Sequence, residues 1–159
     1  MNYYIGVTNQ QWYEQLRNKC FDIVNFWRPG STNFKSLKPG ELFLFKLHSP
    51  NDYIAGVGYF SSFKKMPVKT AWEIYQARNG VENYKEFIHT LASYRNISDE
   101  EMSYCEIGCI ILENPVFFDK KDWIPAPSDW KPNIVQGKRY STNTDIGKEL
   151  YKSVEKHMK

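Results

Sequence analysis

The chain has 159 residues, with 42% apolar and 25% charged residues and a net charge of +3. These values fit one folded domain with a real core and exclude a disordered chain. They do not by themselves demand an acidic or nucleic-acid partner, although segregated charges can still build a basic face. Aromatic residues make up 16% of the chain, more than a core of this size needs, so some are expected on a binding surface or in a pocket.

In chain order, Tyr3 to Val7 reads as a short strand. Thr8 then has Gln11 three residues on, a capping-box spacing that starts a helix with Trp12 and Leu16 inward. Phe21 to Trp27 is a second strand, ending at the turn Arg28-Pro29-Gly30-Ser31. Leu37 to Glu41 is a Pro-Gly turn that launches Leu42 to His48. A Ser-Pro-Asn-Asp turn then returns the chain through Tyr53 to Phe60, which completes an antiparallel hairpin. Gly56 and Gly58 share one face of the return strand, leaving room for something bulky against the backbone.

Two helices follow. One is expected from the capping box Thr70–Glu73 to Gly80, the other from Asn83, with Phe87, Ile88 and Leu91 as its apolar stripe. Tyr104 to Leu112 is a buried strand that carries Cys105 and Cys109 on one face. Asp99, Glu100 and Glu101 read as a solvated helix start. Pro115 to Pro132 is expected to be an ordered loop, and residues 133–140 a short strand and turn. Residues 145–158 carry Ile146, Leu150, Val154 and Met158 at fourfold spacing, which predicts a surface helix. The whole, residues 1–159, is expected to be one α+β domain with a curved, barrel-like sheet.

Catalytic signatures are missing from the pattern. There is no Gly-rich phosphate loop and no nucleophile elbow, and the three His are scattered beside three Cys without zinc spacing. The expectation is therefore no catalytic site, no metal and no cofactor. No apolar stretch approaches transmembrane length, and the N-terminus lacks a signal-peptide pattern, so a cytoplasmic location without a membrane partner is expected.

Three places carry candidate binding residues. Trp27 sits beside Arg28 where a strand meets a turn, either as a stacking surface or as a plug for the core. Lys46 and His48 alternate on one strand and so face one way. They either contact a phosphate or a base edge, or merely populate a polar face. Lys131, Lys138 and Arg139 lie in a stretch free of acids from Trp130 to Thr144 and bracketed by Trp130 and Tyr140, a composition suited to tracking a nucleic-acid backbone. Trp72, three residues before Tyr75 on a helix, reads first as core, and Trp123 and Trp130 as anchors of an irregular loop.

Several ordered blocks add a resemblance. Val24–Pro29, Leu37–His48, Ile54–Phe60, Ile107–Leu112, Trp123–Pro125 and Asn133–Lys138 resemble the N-terminal domain of predicted HNH restriction endonucleases. That domain is similar to the EVE and YTH branch of the PUA superfamily. The resemblance implies a PUA/EVE-like barrel of five or six mostly antiparallel strands, and an aromatic pocket for an extruded modified base. Trp27 would be one pocket wall, near Asn25 and Arg28, and either Trp72 or Trp130 the other. Asn25, Asn133 and Gln136 would supply base-edge hydrogen bonds, since an amide both donates and accepts. Arg28, Lys46, His48, Lys131, Lys138 and Arg139 would hold the backbone. The implied partner is double-stranded DNA with a modified base, with RNA of the YTH type or a protein or small-ligand partner as alternatives. The nuclease half of such proteins has no counterpart in this sequence, so cleavage would belong to a separate nuclease domain or subunit.

Overall fold

The computed structural model describes residues 1–158 and contains a curved seven-stranded sheet with five α-helices packed around it. The strands are β1 (Asn2–Thr8), β2 (Ile23–Arg28), β3 (Leu42–Leu47), β4 (Tyr53–Pro67), β5 (Glu106–Phe117), β6 (Ile124–Pro125) and β7 (Gly137–Ser141). The helices are α1 (Gln10–Leu16), α2 (Val68–Tyr75), α3 (Tyr84–Arg95), α4 (Asp99–Ser103) and α5 (Asp145–Glu155). Strand order is β2-β5-β4-β3-β1-β7, with β6 added to the end of β4. All pairings are antiparallel except β1 with β3, where α1 and β2 intervene in the chain.

The sheet rolls onto itself. Phe26 on edge strand β2 packs 4.6 Å from Phe43 on β3, although two strands separate them in the pairing order. Phe34, Phe43, Phe45, Phe60 and Trp12 fill the interior with tilted and edge-on ring contacts. Such pairs add about 0.5–1.5 kcal/mol each beyond the area they bury. Gly56 and Gly58 serve this interior. A Cβ on Gly56 would stand 3.0 Å from the Phe45 ring, and one on Gly58 3.3 Å from it. The bulky neighbour expected there is a core phenylalanine, not a ligand.

Several expected boundaries shift for local reasons. Asn9, not Thr8, caps α1, its Oδ1 accepting from the Trp12 amide at 2.7 Å, while Thr8 still belongs to β1. Helix α2 begins at Val68 directly after β4, ahead of the Thr70 box. Asn83 does cap α3 by accepting from the Glu86 amide, but the Glu86 carboxylate accepts from Gln11 instead of closing a box. Strand β4 continues to Pro67 through Lys64 and Lys65, and β5 runs on to Phe117. Pro115 is tolerated in β5 because the pairing with β2 ends at Glu113 and the register with β4 slips between Glu113 and Val116. Cys105 lies before β5, its thiol donating to the Glu101 carbonyl, so it does not share a strand face with Cys109. In α5, Gly147, Leu150 and Val154 are buried while Ile146 is exposed. Close contact there needs a glycine: a Cβ on Gly147 would collide with the Ser141 carbonyl, and Tyr3 donates to the Gly147 carbonyl at 2.6 Å.

Candidate functional site

The curl brings the end of β2 opposite the end of β1, and a cleft of about 460 Å³ opens along that seam. This lies within the roughly 300–1,000 Å³ typical of small-ligand sites. Phe26, Phe43 and Ile110 are its buried apolar lining, and Trp27, Tyr4, Tyr94 and His48 supply its other rings. Arg28, Arg95 and Gln136 add polar groups, and no acidic side chain lines it.

Trp27 is chiefly a core side chain that also lines the cleft. It is only 9% exposed, its indole N–H donates to the Asn79 carbonyl at 2.7 Å, and Phe87 meets its ring edge-on. Only its remaining edge reaches the cleft. The accessible ring is Tyr94 of α3, 44% exposed and tilted 6.0 Å from Trp27. His48 stacks on Tyr94 at 5.8 Å with an interplanar angle of 22°.

A short polar relay sets this pair. Asn9 Nδ2 donates to the Tyr94 hydroxyl at 3.2 Å, and that hydroxyl lies 3.3 Å from His48 Nε2. Burial, and then the nearby Lys46 charge, lower the His48 pKa below its ordinary 6.5. Neutral His48 can accept at Nε2 from the tyrosine O–H, which makes the relay consistent from end to end. Deeper in the cleft, Arg28 donates to the Tyr4 hydroxyl at 3.2 Å and lies over the Phe34 ring. Burial raises the Tyr4 pKa, partly offset by Arg28. Near neutral pH the cleft therefore offers two guanidinium charges, a neutral imidazole and a neutral phenol. Neither Arg28 nor Arg95 has an ion-pair partner among the described residues.

The expected site residues thus divide. Trp27, Arg28, His48 and Gln136 meet at the cleft. Asn25 does not line it: fully buried, it donates to Asn79 Oδ1 at 2.8 Å and to the Cys109 sulfur at 3.3 Å. Burial pushes the Cys109 thiol up to about 11. Trp72 lies on α2 against Phe87, outside the cleft. Lys46 is 2% exposed, its ammonium donating to Asp52 at 2.8 Å and to the Leu47 carbonyl at 3.0 Å, which leaves a phosphate no place at Nζ. Trp130 borders a neighbouring hollow, with Lys46 Nζ 5.0 Å from its ring centroid.

Lys138 is paired with Asp129 at 3.0 Å, and Tyr140 donates to the same carboxylate at 2.7 Å. Burial alone would raise the Asp129 pKa, but these two hydrogen bonds and the Lys138 charge hold it below its ordinary value. Lys138 is therefore neutralised by a carboxylate one residue upstream of the acid-free stretch, while Lys131 and Arg139 have no ion-pair partner among the described residues. Lys131 and Asn133 are exposed and do not line the cleft. Arg139 is also exposed, and stands opposite Tyr4 in the β1–β7 register, so it projects from the cleft side of the sheet. Tyr94 and Arg95 were not anticipated, because on a helix they read as the solvated face opposite Phe87, Ile88 and Leu91.

No protein-family model and no curated protein matches the sequence. Solved structures do match in fold. ASCH from Zymomonas mobilis superposes with a TM-score of 0.57 at 10% identity, covering 94% of this chain and 94% of that one. One point mutant of that protein gives 0.57 at 10% identity over 94% and 96%, and another gives 0.58 at 9% identity over 95% and 94%. The likeness is one of fold: the chain has the expected PUA-like α+β fold, with seven strands in place of the expected five or six. No helix among the described residues is long and apolar enough to cross a membrane.

Proposed function

We propose that this chain is a nucleic-acid-binding sensor that holds an extruded, modified base in the cleft beside Tyr94 and the edge of Trp27. The observation that carries the reading is the composition of that cleft: an aromatic lining with the open ring of Tyr94, two guanidinium groups without an ion-pair partner among the described residues, and no acid. PUA-like domains are generally binding domains, although some ASCH domains hydrolyse RNA, so the binding reading rests on the cleft itself.

In this reading Arg28 and Arg95 hold phosphates flanking the target, with Arg139 further along the same side of the sheet. The base leaves the stack at a cost of a few kcal/mol. Stacking on Tyr94 and His48, against the edge of Trp27, returns about 1–3 kcal/mol. The two terms nearly cancel, so one added group on the base decides whether binding is net favourable. Gln136, Asn9 and Thr8 border the cleft and offer donors and acceptors to a base edge. Duplex DNA as the target, and a role as the specificity module of a modification-dependent restriction system with a separate nuclease, rest only on the resemblance of the sequence blocks to restriction endonucleases.

The test is competition binding with matched duplexes that carry methylated or hydroxymethylated cytosine, methylated adenine or no modification, and with RNA of the same sequences. Preference for one modified duplex supports the reading. Preference for a modified RNA moves the target to RNA. Equal affinity for every probe, with a steep salt slope, reduces the activity to non-specific electrostatics.

A further inference from the structure

The cleft does not end at His48. A second hollow of about 410 Å³ adjoins it, and the two share Val7, His48 and Val135. Val135 is apolar and 70% exposed where they meet. The second hollow is lined by Trp130, Ser49, Lys46 and Asp52, together with prolines of the 126–132 segment.

Its charges are internally balanced. Lys46 gives its ammonium to Asp52 Oδ1, the Leu47 carbonyl and the face of Trp130. Those three partners use up its donor directions. Asp52 is different. Its side chain is half exposed, its Oδ2 has no protein partner, and the Ala126 amide donates to its backbone carbonyl at 3.0 Å, which pins the residue. The hollow therefore sets an indole ring beside a fixed carboxylate acceptor. That combination leaves no cation free for a phosphate and suits a flat ring that bears N–H donors. Adenine, cytosine and guanine carry exocyclic amino groups, and thymine carries none.

We infer that this hollow is a subsite for the nucleotide next to the target, stacking its base near Trp130 and accepting an amino hydrogen bond at Asp52. The subsite rests on the proposed reading of the first cleft and adds to it a preference in sequence context. Trp130 then acts on the neighbouring base, not as the second wall of the target pocket.

The experiment uses the whole chain and oligonucleotides with one fixed modified target base. The neighbour on each side is varied through the four bases and an abasic site, and affinity is read by fluorescence anisotropy. On one side, an abasic neighbour lowers affinity about tenfold or more. On that side, amino-bearing bases bind more tightly than thymine. In Trp130→Ala the abasic penalty disappears, and in Asp52→Asn the preference over thymine is lost while the target preference stays. Lys46→Met with Asp52→Leu removes the charge pair and its acceptor together and repeats the second comparison if the single variant folds poorly. Indifference of the wild-type chain to neighbour identity and to abasic neighbours on both sides overturns the subsite but leaves the target reading standing. Failure to prefer any modified target overturns both.

Discussion

The cleft at Trp27 and the segment from Trp130 to Tyr140 contain the same kinds of residue, aromatic rings beside cations, and use them in opposite ways. In the segment, Lys138 and Tyr140 both engage Asp129, and Lys46 reaches Trp130 only because Asp52 already holds it. These cations are spent on the fold. In the cleft, Arg28 and Arg95 have no carboxylate partner among the described residues, and Tyr94 keeps an exposed ring. Composition alone does not separate a binding surface from a structural clamp; the position of one carboxylate does.

The sharpest way to break this contrast is to compare Trp27→Ala with Tyr94→Ala. Trp27 is mostly core, so its truncation costs about 3–5 kcal/mol of stability in chemical denaturation and leaves the Asn79 carbonyl unpaired. Tyr94→Ala changes stability by less than about 1 kcal/mol, as expected of an exposed side chain, but lowers affinity for the preferred probe by about 1–3 kcal/mol. Equal losses of stability in both variants would make the cleft an ordinary part of the core.

The cations should separate in the same way. Arg28→Ala with Arg95→Ala flattens the slope of log affinity against log salt by about two contacts at about 0.9 each. Lys138→Ala leaves that slope unchanged and costs about 0–1 kcal/mol of stability, because its ion pair is partly exposed.

These variants also mark what was legible in the sequence. The hairpin of β3 and β4 was legible because its apolar runs and Pro/Asn/Asp turn are local signals. The cap at Asn83 was legible for the same reason, whereas α2 ends at Tyr75 and Gly80 closes a separate 3₁₀ turn, Gln76–Asn79. The second half of β4 was not, since Lys64 and Lys65 interrupt the apolar run and only pairing with β5 makes them strand. Trp27, Arg28 and His48 could be singled out because each sits at a strand end beside a turn. Tyr94 and Arg95 could not, because the far end of α3 gains meaning only when the roll of the sheet brings β2 beside it. Lys46 and Lys138 misled for the converse reason: Asp52 and Asp129 neutralise them through contacts that residue spacing does not display.

A smaller effect concerns pH. His48 has a lowered pKa in the folded chain, so the unfolded chain binds more protons between that value and about 6.5. Stability therefore falls as pH drops through this window and is unaffected above it. His48→Gln flattens this part of the stability profile measured by denaturation between pH 5 and pH 8, where the unperturbed residue titrates. A profile that the substitution leaves unchanged would contradict the lowered pKa that burial and Lys46 give His48.

The most direct measurement is the affinity of the wild-type chain and of Tyr94→Ala for one duplex with and without its modified base, at fixed salt. The account predicts that the wild type prefers the modified duplex and that Tyr94→Ala loses most of the preference while remaining folded. A wild type that binds both duplexes equally, or a Tyr94→Ala variant that keeps the full preference, would contradict it.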